Sequence, residues 1–331
     1  MSEIENEEIV SFIRCKEELF DNGKTSVEYY YKPNSNILFI TFDSVNILRE
    51  HEPFGFKFLS TLDVDILAFR KIEEQGYSDF SYEAFYDIVK DILPKYKRKV
   101  AYGFSLGAYA TLYYTSRIDC EIFAIAPRIP AHPIYGTKEK NKLVFNHDLG
   151  LRFNDNIEPI IAYDPQNELD NQYFKNEVEP NFPNLNSIKS EYAGHKLTQY
   201  YVQMGVLKKM VYDVYKGDIP TYDKKLRFNS AQYLSSLAEA CLKRKKNKWA
   251  YDISEKALQL KKKDKRANLV KYKLELEEAK KHLNSVIIHA KYAKLEVNVL
   301  KDLKEINKNL QDIKGLWKLL WIKKYRFHMV E

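Results

Sequence analysis

The sequence predicts an α/β fold over the first two thirds of the chain, followed by a region made only of helices. Three observations predict it. Short apolar runs alternate with helical patterns up to about residue 215. A Gly-x-Ser-x-Gly pentapeptide at 103–107 joins one of these runs to a helical pattern. Glycine and proline nearly vanish after residue 225. We therefore expect two domains, at 1–225 and 226–331.

The strands are predicted from their apolar runs. Two β-rich segments, at 9–20 and 25–32, flank Asp21-Asn22-Gly23-Lys24, and Asn-Gly between such segments is typical of a hairpin. Continuous apolar runs follow, as in strands buried on both faces of a parallel sheet. We expect these strands at 36–42, 65–69, 100–103, 121–126, 159–163 and 188–193.

Helical patterns separate several of these strands. One of them ends near Pro94, because proline cannot continue a helix. Its apolar residues at helical spacing are Phe85, Ile88, Val89 and Ile92. Two further helices are expected at 108–114 and 197–215.

The pentapeptide Gly103-Phe104-Ser105-Leu106-Gly107 has the form of a nucleophile elbow. Such a turn exposes its serine at the edge of the sheet. The flanking glycines avoid the clashes that a Cβ would make in so sharp a bend. The Leu106 N–H then lies at a helix N-terminus, where it can stabilise an oxyanion. Ser105 is therefore the candidate nucleophile.

A serine hydroxyl needs a base to remove its proton, and the base needs a carboxylate that fixes its tautomer. The chain order that accompanies this elbow is Ser, Asp, His. Among seven histidines, His195 follows the last strand and precedes the final helix, so it is the candidate base. For the acid, Asp164 ends the strand at 159–163. Asp170 lies six residues further and has enough loop to turn back, so we prefer it.

A second oxyanion donor is expected from the loop after the third strand, which opens with Thr41-Phe42-Asp43-Ser44-Val45. The N–H of Phe42 or of Asp43 is the candidate. No His-Gly-Gly-Gly run occurs there. The Asp43 carboxylate would oppose a developing oxyanion unless it points away.

These residues resemble the α/β-hydrolase superfamily over about 9–215, in which the serine elbow follows the fifth strand. Within it, the chain looks most similar to serine acyltransferase- or esterase-like proteins of bacterial capsule and surface-polysaccharide biosynthesis. The segments that carry the resemblance are 40–42, 103–110, 124–128, 163–165 with Asp170, and 193–195. The resemblance implies a Ser-Asp-His triad that transfers an acyl group. An example is transfer of an acetyl group from acetyl-CoA to a sugar hydroxyl of a polysaccharide or precursor, with no permanently bound cofactor.

Two other functions fit the same sequence. A carbohydrate O-acetyl esterase or carboxylesterase would use the same triad, because water can resolve the acyl-enzyme as well as a sugar hydroxyl can. Alternatively, the chain is a non-catalytic protein that docks a partner such as a glycosyltransferase, although an idle domain would not need both Ser105 and His195. A lipid or thioester hydrolase would require a large apolar lid, whereas 128–156 is short and polar.

The helical region 226–331 is expected to bind a protein partner or a second copy of the chain. Its segment 255–260 resembles the second helix of a tetratricopeptide-type hairpin, and 286–294 is a poorer copy; a plain helical bundle is the alternative. The segment 316–325 is rich in Trp, Leu and Lys. It fits either a capping helix or a basic amphipathic helix on a membrane surface.

Composition restricts the remaining possibilities. The net charge is +7, but the basic runs lack a nucleic-acid recognition motif, so no nucleic acid is expected. Neither a signal peptide nor a run of membrane-spanning length is recognisable. Cys15, Cys120 and Cys241 fit no metal or redox spacing, so no metal is expected. We expect a cytoplasmic protein, or one peripheral at the inner membrane face.

Overall fold

The structure is a computed structural model. It describes residues 14–45, 47–73, 76–136, 149–150, 156–292, 301–302, 304–306 and 308. Contacts along the chain divide the protein into two compact units, Met1–Arg227 and Phe228–Glu331. The boundary drawn from composition, after residue 225, lies close to this division.

The first unit contains a mixed eight-stranded sheet with the strand order β1-β2-β4-β3-β5-β6-β7-β8. The strands are β1 (Cys15–Asp21), β2 (Thr25–Tyr31), β3 (Ile37–Phe42), β4 (Asp65–Lys71), β5 (Arg98–Phe104), β6 (Glu121–Ile125), β7 (Ile160–Tyr163) and β8 (Asn186–Lys189). The β1–β2 and β2–β4 pairs are antiparallel, and all other pairs are parallel. This arrangement, with the serine turn after β5, agrees with the predicted α/β-hydrolase sheet.

Helices flank the sheet. They are α1 (Phe56–Leu59), α2 (Tyr82–Val89), α3 (Leu106–Thr115), α4 (Glu168–Tyr173), α5 (Leu197–Gln203) and α6 (Leu207–Lys216). Helix α3 packs on β3, β5 and β6. A Cβ at Gly103 would clash with Gly107 of α3, so position 103 faces α3. Because side chains alternate along a strand, Tyr102 projects from the opposite face of the sheet.

An aromatic core fixes the end of β3 beneath the serine turn. Phe42, the last residue of β3, is fully buried. Its ring stacks on Phe69 with a centroid distance of 4.7 Å and on Tyr114 of α3 with a centroid distance of 5.5 Å. Three large rings from two strands and a helix therefore hold the start of the loop after β3 in place.

Two predicted elements differ from the structure, in both cases because the backbone adopts a left-handed conformation. The strand expected at 188–193 ends earlier, at Lys189, and the chain then turns through Tyr192 and Gly194, whose φ angles are 61° and 69°. The helix expected at 197–215 is two helices, α5 and α6. Gly205, with φ of 75°, separates them, since a helix cannot continue through that conformation.

The second unit contains α7 (Ala231–Lys243), α8 (Asn247–Leu260) and α9 (Lys265–Tyr292). Their small core consists of Ala238, Cys241, Ala250, Val270 and Leu274. The copy expected at 286–294 begins on α9, an uninterrupted helix, and 293–294 lie outside the described residues. The tetratricopeptide alternative therefore stays a prediction. The segment 316–325 also lies outside the described residues, and within them no helix is long and apolar enough to cross a membrane.

Candidate active site

The turn at Ser105 is strained and tightly packed. Ser105 adopts φ of 54° and ψ of −117°, outside the regions that non-glycine residues usually occupy. A Cβ at Gly103 would clash with the Gly107 carbonyl, and a Cβ at Gly107 would clash with the carbonyl of Phe42. Both glycines are therefore required by close backbone packing. The turn leaves Ser105 8% exposed at the carboxyl edge of β5.

The structure brings together the three residues proposed for the triad. The Ser105 Oγ lies 2.8 Å from His195 Nε2. On the other side of the ring, His195 Nδ1 lies 2.9 Å from Asp170 Oδ1 and 3.1 Å from Oδ2. Asp170 is 3% exposed, near the start of α4. A base and its orienting carboxylate are thus placed for proton removal from the serine.

Asp164 does not contact the imidazole; instead it accepts hydrogen bonds from the backbone around it. Its Oδ2 accepts from Gly194 N–H at 2.6 Å, and its Oδ1 accepts from Tyr192 and Gln166 N–H at 3.1 and 2.8 Å. Burial raises the pKa of Asp164, and these three donors oppose the rise. Asp164 therefore fixes the turn that carries His195, and Asp170 is the carboxylate at the ring.

The oxyanion donors differ in part from the prediction. The Leu106 N–H begins α3 and has no place in the helical hydrogen-bond ladder. The Asp43 N–H is unsuitable because it donates to the Phe69 carbonyl at 3.1 Å, and Phe42 lies within the ladder of β3. The next amide, that of Ser44, donates no hydrogen bond within the described part of the chain. The Ser44 N–H is therefore the amide of this loop that remains available as a second donor, and the sequence analysis did not single it out.

The Asp43 side chain points into a buried ionic network. Its Oδ2 accepts from Arg70 Nε at 2.6 Å, and its Oδ1 accepts from the Phe54 N–H at 3.0 Å. Arg70 also donates to the carbonyls of Leu48 and His51. Burial raises the pKa of Asp43, and the guanidinium of Arg70 acts in the opposite direction. The network holds the loop after β3 in place. It also pairs the Asp43 carboxylate with Arg70, so that this negative charge does not repel an oxyanion.

Arg128 is a further charged residue at the site. Its Nη1 donates to Asp170 Oδ1 at 3.3 Å, and its backbone N–H donates to the Ser105 carbonyl at 3.2 Å. The segment 124–128 contributes to the sequence resemblance, but the sequence analysis did not predict a role for Arg128. A local pattern could not predict its ion pair with Asp170, because the two residues are 42 positions apart. The guanidinium and the imidazole thus contact the same oxygen of Asp170, and together they hold the carboxylate in place.

His132 holds the loop after β6 instead of facing the triad. Its Nδ1 accepts from the N–H groups of Ile134 and Tyr135, both at 3.1 Å. Its ring lies 5.9 Å from that of Tyr173, in the helix that carries Asp170. Burial lowers the pKa of His132, because the charged form is disfavoured there.

Because its pKa is lowered in the folded state, His132 is expected to make the stability of the protein depend on pH. Burial outweighs the Glu177 carboxylate, whose Oε1 lies 3.5 Å from His132 Nε2, so the folded protein resists protonation of this ring. The stabilising contribution of the neutral ring is therefore complete above the ordinary imidazole pKa and is lost as the pH falls through it. Thermal unfolding midpoints are expected to fall more steeply between neutral and mildly acidic pH for the wild type than for His132→Asn. The asparagine oxygen can accept the same N–H groups but does not titrate. The exposed His51→Asn is the matched control; equal slopes for all three proteins would contradict this role.

Within the described residues, no group of three His, Cys, Asp or Glu side chains is placed to hold a metal ion.

Comparisons with known proteins found neither a matching family model nor a matching curated protein. Several solved structures are similar. The esterase Pf2001 of Pyrococcus furiosus is 19% identical, with a TM-score of 0.45 over 63% of this chain and 94% of that one. Mouse alpha/beta hydrolase domain-containing protein 10 is 10% identical, with a TM-score of 0.42 over 61% and 99%. Thermogutta terrifontis esterase 2, phosphoramylated by tabun, is 11% identical, with a TM-score of 0.44 over 65% and 98%. At such low identity these likenesses concern the fold alone.

Proposed function

We propose that the protein is an enzyme that transfers acyl groups through a Ser105–His195–Asp170 triad. One observation carries the proposal: an unbroken series of contacts from the Ser105 hydroxyl through both nitrogens of His195 to a buried carboxylate, at 2.8 and 2.9 Å. These contacts lie within the range that proton transfer requires. A structural serine at a sharp strand-to-helix turn would need no such partners.

The geometry supports a two-step reaction. Ser105 Oγ attacks the carbonyl carbon of the acyl donor while His195 Nε2 takes its proton, and Asp170 stabilises the imidazolium through Nδ1–H. The N–H groups of Leu106 and Ser44 stabilise the oxyanion. Collapse of the intermediate breaks the bond to the leaving alcohol or thiol, which takes the proton from Nε2. An acceptor hydroxyl then gives its proton to Nε2 and attacks the acyl-enzyme, which restores Ser105.

The acceptor that we propose is a sugar hydroxyl of a bacterial polysaccharide or its precursor, with acetyl-CoA as a donor. This makes the protein an O-acetyltransferase. The support is the resemblance in sequence described above. The alternative is a carbohydrate O-acetyl esterase or carboxylesterase, in which water takes the place of the sugar. The triad distances fit both equally, because they concern the step that the two reactions share.

Acyl-enzyme partitioning tests this proposal. The enzyme is mixed with acetyl-CoA or 4-nitrophenyl acetate, quenched, and digested, and the peptide containing Ser105 is expected to carry one acetyl group by mass spectrometry. With N-acetylglucosamine present, a transferase yields acetylated sugar, whereas an esterase yields acetate alone. If turnover occurs without acetylation of this peptide, the covalent mechanism is wrong.

For the second unit we propose a role in binding a partner protein or a second copy of the chain, and for the segment 316–325 we propose contact with the inner membrane face. Exposed aromatic and aliphatic side chains on α8, including Trp249 and Leu260, support this. A chain ending at Arg227 is expected to keep its turnover of 4-nitrophenyl acetate. A truncated chain that is folded by circular dichroism but inactive would contradict this division of roles.

A further inference from the structure

A cavity of about 310 Å³ lies in the first unit, on the face of the sheet from which Tyr102 projects. Helix α1, a single turn, forms part of its wall. Its apolar walls are Ile47, Phe54, Phe56, Phe58, Tyr102 and Leu207. Its volume is at the lower end of the range of small-molecule sites, and a mostly apolar lining with few polar groups is typical of them.

Tyr102 supplies a polar group to the cavity wall. The residue is 3% exposed, with its ring between Phe54 and Phe123 at centroid distances of 4.9 and 5.6 Å. A Cβ at Gly55 would lie 3.2 Å from the ring, so the ring has little freedom. Its hydroxyl makes no hydrogen bond within the described residues, and burial raises the pKa of Tyr102. The phenol is thus a fixed, neutral donor on the cavity wall, suited to an acceptor atom of a ligand.

The rim of the cavity is positively charged. Lys57 and Lys208 line it, both are exposed, and neither forms an ion pair within the described part of the chain. Glu52 is the one acidic residue of the lining, so the rim carries more positive than negative charge. An apolar interior with a cationic rim is complementary to a ligand that has an apolar body and an anionic end.

Two wall residues of the cavity are close along the chain to residues of the candidate site. The N–H of Ile47 donates to the carbonyl of Ser44, the proposed oxyanion donor, at 3.2 Å. Thr198, another wall residue, follows Leu197, whose N–H donates to the His195 carbonyl at 2.8 Å. A ligand in this cavity would therefore lie against the loop after β3 and the start of α5, the two segments that adjoin Ser44 and His195.

We propose that the cavity is a substrate subsite that selects esters carrying an apolar group with an anionic end. The apolar group enters between the phenylalanine rings, an acceptor atom meets the Tyr102 hydroxyl, and Lys57 and Lys208 hold the anion. The inference rests on the proposed acyl transfer through Ser105. The anion can belong to the acyl part or to the alcohol part of the ester, and the two arms of the test distinguish these sources.

Selectivity ratios measured on the full chain test the subsite. The acyl arm compares kcat/KM for mono-4-nitrophenyl adipate with that for 4-nitrophenyl hexanoate, which has the same chain length without the charge. The alcohol arm compares 4-acetoxybenzoate with phenyl acetate. In one of the two arms, the double variant K57Q/K208Q is expected to lower the charged-to-neutral ratio of kcat/KM by about five- to tenfold. Addition of 0.5 M salt is expected to lower the same ratio of the wild type by about the same factor, because salt screens the two lysines. Tyr102→Phe is expected to lower kcat/KM for the same charged ester about threefold or more.

The matched control is K95Q/K97Q, which should keep both ratios. It removes two exposed lysines beside the opposite end of β5 that form no ion pair with any residue the structure describes. If K57Q/K208Q keeps the wild-type ratio in both arms, or Tyr102→Phe keeps the wild-type kcat/KM for both charged esters, while Ser105→Ala is inactive, the subsite is wrong and the acyl-transfer proposal stands. If Ser105→Ala is as active as the wild type, the proposed function itself is wrong.

Discussion

Replacing Ser105 with alanine is expected to lower kcat/KM for 4-nitrophenyl acetate by about 10⁴-fold or more, the loss found when a covalent nucleophile is removed. The residual rate would come from the oxyanion donors and substrate binding alone. Turnover is measured by release of 4-nitrophenolate, and loss of labelling by a fluorophosphonate probe provides a second readout.

The folded state should survive this change. Alanine keeps a Cβ at φ of 54°, so the backbone strain stays and the thermal midpoint should remain close to that of the wild type. Ser105→Gly should be equally inactive but more stable, because glycine adopts this conformation without strain. Ser35→Ala, well away from the site in sequence, is the control. Near-normal turnover of Ser105→Ala would end the serine mechanism.

The parts of the site that the sequence predicts are those fixed by local geometry. The elbow places Ser105, Leu106 and both glycines within five residues, and the turn forces their arrangement whatever surrounds it. His195 could be chosen because a histidine after the last strand must reach the same edge of the sheet. Asp170 could be preferred because the chain needs several residues beyond β7 to turn back.

The other features depend on contacts between distant segments. The Asp43 N–H donates a hydrogen bond to the carbonyl of Phe69, a residue of the neighbouring strand β4 that no local sequence pattern could identify as its partner. Asp164 accepts hydrogen bonds from residues up to 30 positions away, and one of them, Tyr192, lies in a turn where the sequence predicts the end of a strand. The break between α5 and α6 depends on a left-handed Gly205, which periodicity does not detect.

Asp170→Asn and Asp164→Asn should separate the two carboxylates by different readouts. In Asp170→Asn, the amide N–H facing His195 Nδ1 would favour the tautomer with its proton on Nε2, which cannot accept the serine proton. We expect kcat to fall by about 10³- to 10⁴-fold, as for a triad that holds the wrong tautomer. The thermal midpoint should change little, because the amide can still bond within the site.

In Asp164→Asn, the new NH₂ group cannot accept a hydrogen bond, so Gly194 or the pair of Tyr192 and Gln166 loses its partner. A buried N–H left unpaired costs about 1–3 kcal/mol of unfolding free energy, so the thermal midpoint should fall clearly. Activity should fall less than in Asp170→Asn, because the His195–Asp170 contact persists whenever the turn is formed. Measuring kcat and the thermal midpoint of both variants shows which of the two aspartates is the triad acid. If Asp164→Asn had a normal midpoint and the larger loss of kcat, then Asp164 would be the triad acid and Asp170 would only support the loop.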